Sequence, residues 1–328
     1  MLSERENFLR ALRGEVPEYV PRYRLNWSIY PSFLRGDRAN GVGKDIFGVE
    51  WTSEGSAMEA PLPKPGSILL DDIRKWRDVI KYPDFSDVDW EAAAKKDLEN
   101  FDNNLPRGGG TGGSFFQALV SFMGFEEALV ACYVEPDEVK ELMNYLCDCY
   151  LSLADNMVHY YKPDYISMGD DIAHERSTFV SLETFRDIFA PVWRRYIKHF
   201  KDMGYLATHH NCGHFELFVD DLVDMGFDAW DPVQISNDRL GIKKKYADRL
   251  MLCCGVDKRR FLPHLDTSEE EIRAIIKDML DELAPGGRFA IALGTPSRNP
   301  VQRQREDWAD DEYQKIKWNY YGASRINC

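Results

Sequence analysis

The sequence predicts an α/β protein built as a (β/α)8 barrel, often called a TIM barrel. Short apolar segments alternate with longer helical segments over most of the chain, and this alternation is typical of a parallel sheet. About seven or eight such units fit the chain, which favours a closed barrel over an open doubly wound sheet. The hydrophobic content of 44% predicts a folded, globular protein. We therefore expect residues 1–328 to form one barrel domain.

The composition excludes several classes of function. The net charge of −14 argues against nucleic acid as the main ligand, because no basic stripe offsets the acidity. No run approaches the roughly 20 apolar residues of a membrane span, and the first residues lack the pattern of a signal peptide. An odd number of cysteines, seven, does not indicate a disulfide framework. We expect a reduced, cytoplasmic protein.

The N-terminal third predicts a helix, a first strand and an irregular part. Ser3 and Glu6 have the spacing of a capping box, and Gly14 ends the short helix that this box opens. Residues 20–27 alternate as a first strand does. Residues 28–100 are the least regular part, with a hairpin near residues 47–51 and short helices near residues 71–78 and 88–100.

A glycine-rich segment, residues 105–113, leads into a helical segment that begins at Ser114. Gly108, Gly110 and Gly113 match the dinucleotide-binding pattern G-x-G-x-x-G by spacing alone. No clear apolar strand precedes the glycines, and no acid at the end of a second strand follows at the expected ~20 residues. The segment is therefore predicted to be a flexible loop over a pocket, without a nicotinamide site.

The rest of the chain alternates regularly. The predicted helices are residues 135–161, 182–203, 215–225, 267–283 and 310–321. The predicted strands are residues 164–169, 205–209, 227–230, 250–254 and 288–293. Residues that act on a substrate lie at the carboxyl ends of the strands in such a barrel, although some polar residues there only cap helices. The polar residues expected to form this pocket are Asn26, Asp170, Asp171, His210, Cys212, Asp231, Gln234, Asp257 and Thr295.

The segment Thr208–His214 contains three of the seven histidines and one cysteine. If the segment is extended as far as Cys212, the side chains of His210 and Cys212 point to the same side. A thiolate and an imidazole held side by side form half of a typical zinc site. The alternative is that Cys212 is a small buried hydrophobe and the histidines are polar turn residues.

These residues resemble the uroporphyrinogen decarboxylase superfamily, and within it the corrinoid-dependent methyltransferases. The resemblance runs over nearly the whole chain and implies a (β/α)8 barrel. It rests on short motifs in order, which are the helix and Val-Pro within residues 5–21, Met123-Gly-Phe-Glu-Glu-Ala-Leu, Glu135-Pro-Asp-Glu-Val, Gly169-Asp-Asp, His210-x-Cys212-Gly213, Asp231-Pro-Val-Gln234 and Gly255-Val-Asp257.

Two comparisons with family motifs indicate which branch of the superfamily the chain resembles. The decarboxylase proper carries an Arg-Gln-Ala-Gly-Arg stretch after the first strand, whereas this chain reads Arg22-Tyr-Arg-Leu-Asn-Trp27. The methyltransferase branch implies zinc bound by H-x-C and by a later cysteine. His210 and Cys212 match the first two ligands, but no cysteine stands near Thr295. A third ligand from Glu175, His174 or a carboxylate of Asp170 or Asp171 would give a harder site, suited to a methoxy donor.

The resemblance thus implies a methyltransferase that moves a methyl group between a small donor and the cobalt of a corrinoid, with zinc as the Lewis acid. The donor we expect is a methoxylated aromatic compound, and the reaction is then an O-demethylation. The corrinoid (cobalamin) is expected on a separate partner protein, because this chain has no D-x-H-x-x-G signature. A homodimer is a further expectation. The expected catalytic residues are Glu175, Asp170 and Asp171.

Aromatic residues near the presumed mouth are compatible with such a donor, and they are Tyr23, Trp27, Tyr30, Phe115 and Phe116. Two other functions stay open. A metal-free lyase related to the decarboxylase predicts a basic pocket, for which the sequence offers Arg22, Arg24 and Arg107. A non-catalytic binding barrel predicts an intact fold that binds no metal.

Overall fold

A computed structural model of the protein describes residues 1–24, 27–38, 41–53, 61–293 and 297–321. The strands of this described part are β1 (Ser28–Ile29), β2 (Gly43–Lys44), β3 (Glu50–Thr52), β4 (Leu62–Pro63), β5 (Gly108–Gly109), β6 (Tyr165–Gly169), β7 (Leu206–His210), β8 (Ala229–Val233), β9 (Met251–Gly255) and β10 (Phe289–Ala292). The α-helices are α1 (Glu4–Arg13), α2 (Trp76–Val79), α3 (Trp90–Leu98), α4 (Phe116–Met123), α5 (Phe125–Val134), α6 (Pro136–Ser152), α7 (Ala154–Tyr161), α8 (Leu182–Thr184), α9 (Ala190–Asp202), α10 (Val219–Met225), α11 (Arg239–Lys245), α12 (Glu269–Leu283) and α13 (Pro300–Ile316).

A curled parallel sheet carries the fold. Its strand order is β1-β5-β6-β7-β8-β9-β10, which follows the chain, and each neighbouring pair is parallel. At the far edge, the Tyr23 N–H donates to the Ile291 carbonyl at 2.9 Å, and the Ile291 N–H donates to the Pro21 carbonyl at 3.0 Å. Residues 21–23 therefore contact one edge of the sheet at β10, and residues 28–29 form the other edge as β1.

The predicted α/β class with a parallel sheet is confirmed, but a closed barrel of eight strands is not. The described residues form seven strands in this sheet, and one isolated bridge joins Arg22 to Ile291. Within the predicted first strand, residues 20–27, the described residues pair with the sheet only around Arg22, and the Trp27 N–H donates to the Arg24 carbonyl at 3.2 Å. The result is a curled seven-stranded sheet of TIM-barrel type.

The glycine-rich segment contains a strand, and the prediction of a loop at a pocket agrees only with its end, where Thr111 and Gly112 line a cavity next to α4. Gly108 and Gly109 form β5, which pairs with β1 on one side and β6 on the other. A Cβ at Gly108 would lie 2.7 Å from the Ser28 hydroxyl and 2.8 Å from the Tyr165 ring. Small residues are required here because large neighbours fill the space, so the glycines reflect packing.

The two faces of the sheet pack into two cores. Alternate strand residues such as Tyr165, Met251 and Cys253 join Phe8 of α1 in an inner cluster. The residues between them, such as Ile166 and Leu252, join the main core with the surrounding helices. This alternation follows from the two-residue period of a strand.

The same period places the polar residues of β7 and β8. Leu206 packs with the inner cluster, so Thr208 and His210 share its side of β7, and Asp231 follows Ala229 in the same way on β8. The inner face is thus apolar near the amino ends of the strands, where α1 covers it, and polar near the carboxyl ends.

The helices differ from the predicted ones mainly at their ends. The helix predicted over residues 135–161 is two helices, α6 and α7, that meet at Leu153. The last helix, α13, begins at Pro300, well before the predicted residue 310. Its start is fixed by Asn299, whose side chain accepts from the N–H groups of Val301 and Gln302. The hairpin predicted near residues 47–51 is part of an antiparallel sheet of β2, β3 and β4.

None of the helices in the described residues is by itself long and apolar enough to cross a membrane. The helices α4 and α5 meet that criterion only as a pair, and a bend of 113° separates them. Leu119, Phe122 and Ala128 of this pair pack in the main core.

Candidate active site

Three side chains of different chemistry lie together at the carboxyl ends of β6 and β7. The ligand atoms of Asp171, His210 and Cys212 all lie within 4.8 Å of one another. The His210 Nε2 atom is 3.8 Å from the Cys212 Sγ atom and 4.0 Å from an Asp171 oxygen. All three residues are partly buried. We call this group the ligand cluster.

Backbone contacts hold the ligand cluster in place. The Cys212 N–H donates to the Asp171 carboxylate at 2.7 Å, which joins the loops after β6 and β7. The next N–H, that of Gly213, donates to the Gln234 side chain at 3.0 Å. Gly213 has a φ of +89°, and a Cβ there would lie 2.7 Å from a backbone carbonyl oxygen, so only glycine fits this turn.

A buried carboxylate supports His210 from behind. The Nδ1 atom of His210 is 3.1 Å from the carboxylate of Asp231, whose side chain is 1% exposed. Burial by itself would lower the pKa of His210, but the Asp231 carboxylate, followed by Cys212 and Asp171, raises this pKa well above its usual value of 6.5. Because Nδ1 donates to Asp231, the Nε2 atom of the neutral ring directs its lone pair at the ligand cluster. A metal-binding histidine commonly has this arrangement.

The neighbouring acid, Asp170, has a different role. Its buried carboxylate accepts four hydrogen bonds at 2.9–3.0 Å, from the backbone N–H groups of Phe115, Phe116 and Gln117 and from the indole of Trp193. Burial raises the pKa of this carboxyl to about 7, and the four donors oppose the shift. Asp170 therefore anchors the start of α4, and it lines neither of the cavities at the site.

Two cavities meet at His210. Cavity 1, of about 510 Å³, lies among the loops that follow β6, β8 and β9. Cavity 2, of about 540 Å³, lies between α4 and the antiparallel sheet. His210 lines both cavities, while Asp231 lines only cavity 1 and Asp171 lines only cavity 2. Two members of the ligand cluster, Asp171 and His210, thus line cavity 2, while Cys212 lines neither cavity.

Three charged side chains of cavity 1, Arg259, Glu175 and Asp257, are paired with one another. The Arg259 guanidinium is 2.7 Å from the Glu175 carboxylate and 2.9 Å from the Asp257 carboxylate. Arg239 donates to the Gly255 carbonyl at 2.6 Å. Arg259 and Glu175 are both largely exposed and join the loops after β6 and β9 across the cavity.

The structure brings together only part of the predicted site. The predicted residues that line cavity 1 with His210 are Tyr23, Glu175, Asp231, Gln234 and Asp257. Asp171 and Tyr30 line cavity 2. His174 stacks on Phe179 at 5.2 Å, is exposed, and is not part of the ligand cluster. Asn26 and Thr295 lie outside the described residues.

Three aromatic residues predicted to bind substrate belong to the core. Trp27 is buried edge-on against Phe8, with ring centres 5.7 Å apart. Phe115 and Phe116 give their N–H groups to Asp170, which directs their rings into the packing around α4. These residues shape the fold around the site and line neither cavity.

The two remaining histidines of the segment also differ. The Nδ1–H of His214 donates to the Ser236 carbonyl at 2.7 Å. The ring nitrogens of His209 form no hydrogen bond of ordinary geometry in the described part of the chain. His209 faces the helices and packs on Trp193, with ring centres 4.4 Å apart, and burial lowers its pKa well below 6.5.

Of the three basic residues that the sequence suggested for the site, only Arg24 lines a cavity. Arg22 pairs with Asp310, and Arg107 donates to the Tyr161 carbonyl at 2.9 Å, so neither lines a cavity, although Arg24 lines cavity 1. Arg35 and Arg38 line cavity 2 and were not predicted. They lie in the irregular N-terminal part, where no periodicity indicates which side chains face the site.

The donor set of the ligand cluster fits zinc. One imidazole nitrogen, one thiolate and one carboxylate oxygen are all ordinary zinc ligands. The ligand atoms of tetrahedral zinc lie roughly 3.5 Å apart, so these side chains would have to close by only about 1 Å. Three protein ligands also leave the fourth position open, as in catalytic zinc sites.

The sequence model of the family described as "Uroporphyrinogen decarboxylase (URO-D)" matches residues 58–296. This match covers most of the chain and includes the whole ligand cluster and Asp231. The chain belongs to the uroporphyrinogen decarboxylase family. The predicted superfamily is thereby confirmed. No curated protein sequence matches the chain significantly.

Solved structures agree with the family in fold. A methyltransferase from Methanosarcina mazei is similar over 96% of this chain and 99% of its own, with a TM-score of 0.63 and 14% identity. At that identity the similarity shows a shared fold. An archaeal fructose 1,6-bisphosphate aldolase is similar over 49% of this chain and 61% of its own, at 14% identity, and its TM-score of 0.32 supports no conclusion.

Proposed function

We propose that this member of the uroporphyrinogen decarboxylase family is a corrinoid-dependent methyltransferase that demethylates a small aromatic methyl ether. The observation that supports this most is the ligand cluster of Asp171, His210 and Cys212 with Asp231 behind the imidazole. The likeness in fold to a methyltransferase agrees with the proposal.

The chemistry of the ligand cluster favours an ether over a thiol. Asp171 takes the place of a second thiolate, and a carboxylate oxygen makes the donor set harder. A zinc ion held by these residues would supply a Lewis acid for the leaving oxygen. Asp231 keeps the proton of His210 on Nδ1, and the Cys212 N–H keeps the Asp171 carboxylate turned towards the imidazole.

The proposed reaction balances without a further reagent. The cobalt(I) of the corrinoid attacks the methyl carbon with its electron pair and becomes methylcobalt(III). The carbon–oxygen bond breaks, and its electron pair stays on the oxygen of the phenolate. The free phenol has a pKa near 10, so the phenolate takes a proton from solvent on release at neutral pH.

We further propose that the corrinoid arrives on a separate protein that docks on the loops at the carboxyl ends of the strands. Glu175, Ile235 and Arg259 are exposed on these loops and line cavity 1. A protein bound there would bring its cobalt close to His210, which cavity 1 shares with cavity 2. The homodimer, the single domain and the cellular location stay predictions.

Metal analysis tests the site. Protein prepared without chelators is expected to contain about one zinc per chain, and Cys212→Ser and Asp171→Asn are expected to contain little. Cys149→Ser is the matched control, because Cys149 is a partly buried cysteine on α6 outside the ligand cluster. Zinc retained by both site variants would contradict the ligand assignment.

A transfer assay tests the reaction. The protein is mixed with free cob(I)alamin and an aryl methyl ether, and the absorbance change to methylcobalamin is followed. We expect methylcobalamin and the free phenol in equal amounts, and neither product with Cys212→Ser. Release of CO2 from an aromatic acid without any methylcobalamin would instead support the lyase.

A further inference from the structure

One wall of cavity 2 carries the positive charge of Arg38, which forms no ion pair with the described residues. Arg38 stacks on Trp51 with its guanidinium carbon 4.0 Å from the ring centre, and its Nε donates to the Gly41 carbonyl at 2.9 Å. Its two terminal nitrogens have no hydrogen bond or ion pair within the described ranges. Arg35, which is exposed, lines the same cavity and also has no partner there.

The carboxylate of Asp45 lines the same cavity as Arg38, but it already accepts hydrogen bonds from other residues. Asp45 accepts from the N–H groups of Phe47 at 2.9 Å and Val49 at 3.0 Å, and its other oxygen accepts from the Trp51 indole at 2.8 Å. These three bonds fix the ring on which Arg38 rests. Asp45 therefore positions the wall of the cavity and leaves the terminal nitrogens of Arg38 open to a ligand.

Partial burial makes this arrangement costly without an anion. Burial lowers the pKa of Arg38, Asp45 opposes that shift, and Arg35 adds to it by repulsion. A carboxylate that meets the planar guanidinium can accept two parallel hydrogen bonds, and charge-assisted bonds of this kind are about twice as strong as neutral ones. An anionic group on the ligand would thus supply the missing counter-charge.

The other walls suit a flat ring. Tyr30, Trp51, Phe122 and Tyr150 line cavity 2, and its volume of about 540 Å³ is in the range of small-molecule sites. Tyr30 is held by its hydroxyl, which donates to the Ser167 carbonyl at 2.8 Å. Asp171 and His210 of the ligand cluster line the same cavity.

We infer that cavity 2 binds the methyl donor as an aromatic acid, with its carboxylate on Arg38 and its methoxy group towards Asp171 and His210. Arg38 is then a residue that determines specificity. This inference rests on the proposed function for the identity of the methoxy group. The carboxylate on Arg38 follows from cavity 2 alone.

Measurements of ligand binding in the absence of methyl transfer test this inference. Calorimetry in the absence of corrinoid compares 4-methoxybenzoate with 4-methoxybenzamide, which has the same shape and no charge. We expect wild-type protein to bind the benzoate about 10- to 100-fold more tightly, and Arg38→Gln to lose that preference. Arg38→Lys is expected to be intermediate, because it keeps the charge and loses the planar fork.

The matched control is Arg249→Gln, because Arg249 also stacks on an aromatic ring, that of Tyr246, but lines neither cavity; both dissociation constants should stay within about twofold of wild type. Equal binding of the two ligands by wild-type protein would overturn the inference, and this comparison needs no variant to fold. An unchanged preference in folded Arg38→Gln would overturn it as well. Tight, Arg38-dependent binding of the benzoate without methylcobalamin formation would instead refute the proposed function alone.

Discussion

The two cavities that share His210 each contain an arginine, Arg259 in cavity 1 and Arg38 in cavity 2, and the two differ in how their charge is balanced. In cavity 1, Arg259 contacts two carboxylates and Asp231 contacts the imidazole, so each of these charges has a partner within the protein. In cavity 2, Arg38 has no carboxylate partner in the described part of the chain. A group that is already paired can orient its neighbours, whereas an unpaired one gains most from a ligand.

The difference follows from the elements that form each cavity. Loops at the carboxyl ends of neighbouring strands form cavity 1, and the sheet fixes their spacing. Cavity 2 combines α4 with the antiparallel sheet of β2, β3 and β4, which is inserted before the second strand of the main sheet. The common scaffold thus supplies the reaction centre, while the insertion supplies the wall that selects a substrate.

Replacing His210, which lines both cavities, should have the largest effect on zinc binding and on methyl transfer. His210→Ala removes one ligand, and we expect it to abolish zinc binding and to lower the rate of methyl transfer by about 10²- to 10⁴-fold, because a Lewis acid contributes several kcal/mol to a transition state. Zinc content and methylcobalamin formation measure this. His264→Ala, an exposed histidine outside both cavities, is the control and should match wild type.

Methyl transfer at the wild-type rate by a zinc-free His210→Ala protein would show that the reaction does not need His210. The two cavities would then have no shared function.

Removing the charge of Asp231, which supports the His210 imidazole, should have a smaller effect on zinc binding. Asp231→Asn keeps the shape of cavity 1, and we expect zinc affinity to fall by about 10- to 100-fold at high pH, as for other such partners of ligating histidines. In wild type, zinc must displace a proton from His210, whose pKa is raised by Asp231, so affinity falls as the pH drops through that pKa. The variant lowers this pKa, so the midpoint of zinc binding should move to lower pH.

A chelator competition across pH measures both effects. Asp257→Asn is the matched control, since it removes a carboxylate from the same cavity that pairs with Arg259 and not with His210. A midpoint that stays in place in Asp231→Asn, or moves equally in Asp257→Asn, would show that the pairing inside cavity 1 does not act on the metal site.

The sequence predicts cavity 1 much better than cavity 2, for physical reasons. His210, Asp231 and Gln234 of cavity 1 lie at strand ends, where the two-residue period and the order of the strands decide which side chains meet. The contact of Arg38 with Trp51 depends on the fold of an irregular segment, which no periodic pattern specifies. Asp170 and Asp171 show the limit even at a strand end, since adjacent identical residues point to opposite faces and only the packing of α4 decides which one reaches the site.

The fold, too, is predicted only where local patterns determine it. The alternation of segments predicts the parallel sheet and its strand order, because each unit is local. The sequence predicts a loop at the glycines of β5, because the residues that require them, Ser28 and Tyr165, belong to other strands. The pairing of residues 21–23 with β10 depends equally on a strand far along the chain, which a local pattern does not contain.

The smallest effect is expected for Glu175→Gln. Glu175 is a candidate third ligand by sequence, but its side chain is 67% exposed and pairs with Arg259, which is 58% exposed, and the ligand cluster contains Asp171 in its place. An exposed ion pair contributes little to stability, and Asp257 remains as a partner for Arg259. We therefore expect unchanged zinc content, a rate of transfer to free cob(I)alamin within about twofold of wild type, and an unchanged melting temperature. Asp171→Asn, assayed beside it, should lose the metal. The opposite result, with zinc lost from Glu175→Gln and kept by Asp171→Asn, would place the metal site in cavity 1. Cavity 2 would then not contain the reaction centre.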